Sequence, residues 1–381
     1  MGMKQDFIVS RKPLAGYIAI GLAWSTYFAV MPVVKSNVGA SDGAYGMAIL
    51  VSSFGALAAM WLAPMCLRIF GGFAMTLGIL VVAVGMFSSG QSHTLGLLIF
   101  GMTLAAMGSG VVDVLVNARV CEIEAQSGRA LMNLNHAVYS FAYAAAALAT
   151  GVLREAQAST LTIFGLLAAA LVLLAWAARD RAPELEDEQE GDAIGGMPHT
   201  VVLLVGFIVM AAYLAEAATE GWSALHLERT LGGSPGEGAM GPALMGLTMG
   251  IGRLSGHLLG RLMRDSTLML LATLVSACGL VLAGLASSVL VALAGFALAG
   301  LGISVVAPLA LALLGRVVPK EHRLKAISRA SVLGYGAFFV GPPLMGLVAE
   351  GFGLRASFVL VAVVLASTAV VLVPALARRA A

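Results

Sequence analysis

The sequence predicts an all-α membrane protein: twelve transmembrane helices in two pseudo-symmetric six-helix halves, with both termini in the cytoplasm. Three observations predict it. The 381 residues are 60% hydrophobic and only 11% charged, outside the range of soluble domains of this length. Apolar stretches long enough to cross a bilayer as helices recur along the whole chain. Those stretches are continuously apolar and do not alternate, which excludes a strand barrel.

The spans are expected at 13–36, 44–68, 72–90, 94–121, 130–152 and 160–177, then at 199–228, 237–262, 266–286, 289–316, 325–350 and 353–376. The lead Met1–Lys12 is short and polar, and the apolar run after it is too long for a signal-peptide core and lacks a cleavage site. Asp6 stands where N-myristoylation requires Ser or Thr. Residues 1–178 form the first half, 179–198 a cytoplasmic linker and 199–381 the second half. The linker is acidic, with Asp180, Glu184, Glu186, Asp187, Glu188, Glu190 and Asp192, and reads as a solvated connection. Orientation follows from Lys and Arg. The side of the termini holds Arg68, Arg119, Arg129, Arg179, Arg264, Arg316 and Lys325 among many others, whereas the outer side holds Lys35, Arg154, Arg229 and Arg355.

The halves echo one another. Gly108-Ser-Gly110 in span 4 resembles Gly300-Leu-Gly302 in span 10, and Arg129-Ala-Leu resembles Lys325-Ala-Ile, with Tyr139 and Tyr335 at matching offsets. Repeated six-helix halves are the layout of secondary transporters, which bind solute near the midplane between repeats.

The strongest chemical signal is Asp113, an acid inside the apolar run of span 4. A carboxylate at bilayer depth persists only where it faces a protein interior or a wet cavity. Asn117 lies one turn on and shares its helix face. Span 5 carries a polar stripe of Asn133, His136 and Ser140, with Asn135 and Tyr139 beside it. So many polar groups in one span need partners or water. His136 is a second titrating candidate, because imidazole changes charge near neutral pH; a hydrogen-bonded core histidine is the alternative. In span 7, Glu216 and Glu220 share a face with Tyr213, and Trp222 is either an outer interfacial anchor or a stacking face. Trp24 and Tyr27 of span 1 are further aromatic candidates for the solute.

Span 8 contains Gly252-Arg253 and Gly256, a small-residue stripe for close helix packing. Arg253 either snorkels or pairs with an acid across the half interface. Pro342-Pro343 in span 11 mark a kink or hinge. No phosphate-binding loop, no metal-site spacing and no Ser-nucleophile motif occurs. An enzyme, a cofactor and a nucleic-acid partner are therefore not expected. Cys66, Cys121 and Cys278 are scattered singly and read as buried structural thiols.

Together these motifs resemble the major facilitator superfamily, and within it the fucose–proton symporter branch and its bacterial relatives. The most specific segments are Asp113-Val-Leu-Val-Asn117, Asn133-Leu-Asn135-His136 with Tyr139-Ser140-Phe141, Glu220-Gly-Trp222-Ser223, Ile251-Gly252-Arg253 with Gly256, and Gly341-Pro342-Pro343-Leu-Met-Gly346 with Glu350. The resemblance implies proton coupling by Asp113 and solute contacts by His136 and Tyr139, where the branch usually has Gln and Asn. The branch also has an acid in span 1, where this chain has Trp24, Ser25 and Tyr27. Its usual Asp and Arg signature after span 2 is degraded here to Met65-Cys-Leu-Arg68-Ile-Phe-Gly71-Gly72. The resulting expectation is a monomeric, multi-pass, proton-coupled transporter of a small polar, sugar-like solute in a bacterial inner membrane. Its partners would be the solute, protons and the bilayer. Glu216 is the candidate second proton site. Asn117, Asn135, His136, Tyr139, Trp24, Tyr27, Glu220 and Trp222 are the candidate solute contacts. Arg253, Gly252, Gly256, Pro342 and Pro343 are the candidate gating elements. Proton-antiport efflux of amphiphilic compounds is the alternative, and a flux-free sensor or scaffold a third.

Overall fold

The computed structural model describes residues 3–180, 198–259, 262–319 and 322–380. The acidic linker falls almost wholly outside the described residues, as do the surroundings of Gly256. The first set of helices is α1 (Met3–Asn37), α2 (Asp42–Phe70), α3 (Ala74–Gly90), α4 (Leu95–Ser127), α5 (Met132–Glu155) and α6 (Thr160–Ala177). The second set is α7 (His199–Leu225), α8 (Pro235–Leu259), α9 (Asp265–Gly284), α10 (Val289–Val317), α11 (Arg323–Tyr335), α12 (Ala337–Ser367) and α13 (Val373–Ala380). Among the described residues no strand occurs, and ten helical segments are long and apolar enough to cross a membrane. The last of these, Lys325–Arg379, is 55 residues long, whereas about 20 suffice for one crossing. It turns at Gly353, whose φ of +84° suits a residue without Cβ.

Helices that begin at the end of the bundle remote from the termini (the far end) start on hydroxyl caps. Ser41, Thr94, Ser159 and Ser288 accept from the amides of Ala44, Leu97, Thr162 and Val291. Such caps satisfy backbone donors that a helix start leaves orphaned. The opposite end holds both ends of the described chain, with Asp6 paired to Arg129 and α13 against the starts of α7 and α9.

The internal repeat is visible in backbone packing. A Cβ at Gly85 would collide with the Gly101 carbonyl and Ala105 amide, and one at Gly101 would meet the Gly85 carbonyl. Gly279 and Gly295 repeat this arrangement against each other and against Ala299 and Ala283. Gly108 packs on Gly78 and Val82, as Gly302 packs on Ala272 and Ser276. One sequence spacing relates all these residues, so the α3–α4 seam and the α9–α10 seam are the same structure built twice. The seam also shifts the sequence echo by two positions: Gly108 corresponds to Gly302, not to Gly300.

The two sets meet along α5 with α8 and along α2 with the first part of α12. The prolines of this second seam do not end a helix. The boundary between α11 and α12 lies earlier, at Gly336, whose backbone stays right-handed helical, while Pro342 and Pro343 sit inside α12. Pro342 lacks the N–H that would bond the Phe338 carbonyl. Ser53 of α2 donates to that carbonyl instead, at 3.2 Å. The Pro342 carbonyl itself packs where a Cβ on Gly46 would be. The prolines therefore build a seam between the two sets. The cysteine expectation is corrected here: Cys121 and Cys278 are exposed and Cys66 is half-buried.

Replacing Gly85 with Val inserts methyl groups into a backbone-to-backbone seam. Overpacking of this kind costs about 1–3 kcal/mol. The purified variant should unfold at a visibly lower temperature in a detergent melt, whereas Gly96→Val, at a position with open space, should not.

Candidate functional site

Asp113 lies in the middle of α4, yet its side chain is exposed. Its neighbours decide whether that exposure is to lipid or to an interior space. Its charge acts on four phenols: Tyr17 of α1, Tyr139 of α5, Tyr213 of α7 and Tyr335 of α11. These come from both halves of the chain, so the carboxylate faces a space enclosed between them. Tyr17 and Tyr213 are related by the same spacing as Tyr139 and Tyr335, so the four phenols form two repeat-related pairs. Tyr213 and Tyr335 stack with ring centroids 5.6 Å apart.

A hydrogen-bond chain reaches Asp113 from α1. Tyr17 donates from its hydroxyl to Asn117 Oδ1 at 2.7 Å, and Asn117 Nδ2 donates to Asp113 Oδ1 at 3.1 Å. The i, i+4 pairing read from the sequence is thus present, and Tyr17 completes it. His136 stands edge-on to Tyr17, with centroids 5.0 Å apart, and is half-buried. Trp24 donates to Ser109 Oγ at 2.9 Å and stacks on Phe28, which ties α1 to α4.

The second half contributes the other charges. Glu216 and Glu220 are half-buried on α7. Arg253 of α8 donates to Ser140 Oγ of α5 at 2.8 Å, and its Nη2 lies 3.8 Å from Glu216 Oε1. Arg253 therefore pairs with an acid of its own half and bonds a hydroxyl of the other. Its charge also acts on His136, Tyr139 and Tyr213. Gly252 beside it lets α8 approach α10, since a Cβ there would collide with Ser304 Oγ. Asp113, Asn117, His136, Tyr139, Glu216, Glu220 and Arg253 are accordingly gathered around one central space.

Other candidates are placed elsewhere. Asn135 is fully buried and donates to its own helix at the Leu131 carbonyl. Tyr27 is fully buried, with its hydroxyl 3.0 Å from that of Tyr45. Trp222 is buried edge-on against the same Tyr45. Tyr27, Tyr45 and Trp222 thus form a packed aromatic layer between the central space and the far end. No single-helix pattern marks this layer, because each member comes from a different helix.

Beyond that layer, ion pairs join the two sets of helices. Arg154 of α5 grips Glu228 through both terminal nitrogens, at 2.6 and 2.9 Å, and donates to the Ala29 carbonyl. Asp42 of α2 takes both Lys35 and Arg229. Glu350 of α12 accepts from Ser41 Oγ and the Gly43 amide. At the opposite end, the pairs Asp6–Arg129, Arg119–Asp180 and Arg316–Asp265 each stay on one side of the seam.

A repeated helical bundle with charged and phenolic groups around a midplane space defines a membrane carrier. The sequence signature of the Major Facilitator Superfamily matches residues 14–297 and 207–381, and the chain belongs to that superfamily. It is similar to an uncharacterized MFS-type transporter of Yersinia pestis, 28% identical over 93% of this chain and 92% of that one. An uncharacterized transporter of Sinorhizobium fredii is 29% identical over 93% and 95%, and the membrane protein MosC of Rhizobium meliloti is 25% identical over 90% and 84%. Among solved structures, a bacterial homologue of the human lysosomal transporter Spinster, inward-facing and occupied, superposes with a TM-score of 0.77 at 15% identity, covering 99% of this chain and 98% of that one. The nucleoside transporter NupG superposes with a TM-score of 0.73 at 12% identity, covering 97% and 98%. These likenesses establish a multi-pass membrane transporter fold.

The Arg154–Glu228 pair is 5% and 17% exposed. Arg154→Leu leaves a largely buried carboxylate without its partner, a loss of about 3–5 kcal/mol. The melting temperature should drop sharply in that variant and recover in large part when Glu228→Leu is added. A double variant no better than the single would mean that the pair is not the source of the loss.

Proposed function

We propose that the protein is a proton-coupled secondary active transporter that moves a small polar, sugar-like solute by alternating access across a bacterial inner membrane. The observation that carries this reading is Asp113: an exposed carboxylate at mid-helix depth, ringed by phenols from both halves. A group so placed can exchange a proton with water on one side and feel the rearrangement of both halves.

In the proposed scheme the chain crosses the bilayer twelve times, with both termini in the cytoplasm. The tenth helical segment supplies two of the crossings, one on either side of Gly353. The six-helix halves, 1–178 and 199–381, rock as rigid bodies about the central space. The Lys and Arg bias makes the far end periplasmic. In this scheme its cross-half ion pairs hold the periplasmic side closed. Protonation of Asp113 removes its own negative charge; it is the one carboxylate there that neither a guanidinium nor a second carboxylate on its own helix adjoins. The Tyr17–Asn117 chain then has a neutral carboxyl to hold, and the halves can exchange seams without dragging an unpaired anion through a dry constriction. Deprotonation toward the cytoplasm completes the stroke. His136, Tyr139 and Asn117 offer hydrogen bonds to solute hydroxyls, while the half-buried Trp24 offers an apolar ring face. Glu216, held by Arg253, is a second proton site within the same space. Each protein acts as a monomer in this scheme.

Asp113→Asn should abolish uphill, pH-gradient-driven accumulation in proteoliposomes while leaving a folded, monodisperse protein and downhill exchange. Uphill uptake at the parental rate in this variant would remove Asp113 from the coupling scheme.

A further inference from the structure

Three carboxylates, Asp113, Glu216 and Glu220, share the central space, and the structure sets one guanidinium, Arg253, against them. That guanidinium is already engaged with Ser140 and Glu216. Asp113 has the Asn117 amide and an exposed side chain. Glu220 has neither contact and feels the Arg253 charge only at longer range. It lies one turn from Glu216 on the same face of α7, where a like charge is a destabilising neighbour, and no side-chain cation contacts it among the described residues. The far-end layer of Tyr27, Tyr45 and Trp222 lies beyond it.

A second observation points to the same place. Tyr143 of α5 is 1% exposed, and its hydroxyl makes no hydrogen bond of normal geometry. That hydroxyl is turned toward Glu220, which is its strongest electrostatic neighbour. A buried hydroxyl left without a partner carries an uncompensated desolvation penalty. Tyr139, one turn before Tyr143, also feels both Glu220 and Glu216, and the two phenol rings lie 6.1 Å apart. A carboxylate with no cation in contact, a buried phenol oxygen with no hydrogen bond of normal geometry and an adjacent aromatic face together match one ligand chemistry. A protonated amine supplies the missing positive charge, donates to Glu220 and to Tyr143 Oη, and lies against a π-face. A neutral hydroxyl could accept or donate one bond there but would leave the charge standing.

We propose that the transported solute carries a cationic nitrogen, and that Glu220 with the Tyr143 hydroxyl is the subsite that receives it. This rests on the transport reading above and narrows its solute to an amine-bearing one. The test uses full-length protein in nanodiscs and pairs of probes that differ by a cationic nitrogen: glucose with glucosamine, galactose with galactosamine, and 3,3-dimethylbutanol with choline. Binding is measured by thermal shift and calorimetry. The cationic member of at least one pair should bind about tenfold or more tightly than its neutral partner. Glu220→Gln should erase that preference, and Glu220→Asp should retain part of it. Asp113→Asn should keep the preference while losing proton-driven accumulation, so failure of the coupling scheme and failure of the amine subsite give different results. Tyr143→Phe keeps the carboxylate and should weaken the preference about threefold to tenfold; it serves if Glu220→Gln does not yield folded protein. Equal or tighter binding of the neutral members overturns the proposal. So does absence of cation binding up to about 50 mM, or a preference that survives in Glu220→Gln or stands undiminished in Tyr143→Phe.

Discussion

Hydrocarbon does not solvate charge, and this constraint organises the whole molecule. Asp113, Glu216, Glu220 and Arg253 sit well inside long apolar helices, where each would be intolerable if turned toward lipid. Their helices can be stable only if these faces converge. The structure meets that condition by turning α1, α4, α5, α7, α8 and α11 toward one central space. There the charges find an amide, a hydroxyl, a guanidinium and four phenols. The remaining helix surfaces, from Trp61 and Trp176 to Val370, are apolar and exposed, as lipid contact demands.

Gathering polar groups at the centre leaves the seams elsewhere to be built from shape. Hydrophobic burial adds little between helices already in lipid, so close backbone approach and van der Waals fit must hold them. Gly85 with Gly101, and Gly279 with Gly295, supply that fit twice, at backbone-to-backbone distance. Those seams lie within each half and are dry and tight. The contacts between the halves include close backbone packing too, at Gly46 against the Pro342 carbonyl and at Gly346 against the Asp42 carbonyl. To this they add ion pairs at the far end, one arginine–serine bond near the centre and a proline-freed carbonyl bonded by Ser53. Directional polar contacts can break and be replaced by water, whereas interdigitated backbones cannot part cheaply. The interface between the halves therefore combines both kinds of contact, whereas the α3–α4 and α9–α10 seams rest on shape.

Some of the site was legible in the sequence because a helix has a fixed period. The pairing of Asp113 with Asn117, the shared face of Tyr213, Glu216 and Glu220, and the polar stripe of α5 all come from i, i+3 and i, i+4 neighbours. Other features depend on which helix stands opposite, and no period encodes that. Tyr17 and Tyr143 gave no warning of their roles, although Tyr143 stands one turn from Tyr139. Tyr27, Asn135 and Trp222 read as solute contacts but are buried in packing layers, because a helix rotation of a few tens of degrees decides between cavity and seam. The prolines of α12 suggested a hinge. The freed carbonyl found a donor on α2, and the chain stays helical there.

By itself, then, the sequence determined the membrane class, the all-helical fold, the existence of a repeat and the residues that could not face lipid, since hydrophobicity and helical periodicity are local properties. Only the tertiary structure decided which charges share a space, that Arg253 serves Glu216 while Glu220 has no such partner, and that Arg154, Asp42 and Glu350 bind the halves at one end. The physical reason is that electrostatic pairing at low dielectric acts over a few ångströms between helices remote in sequence. Its outcome is set by how those helices are rotated and stacked.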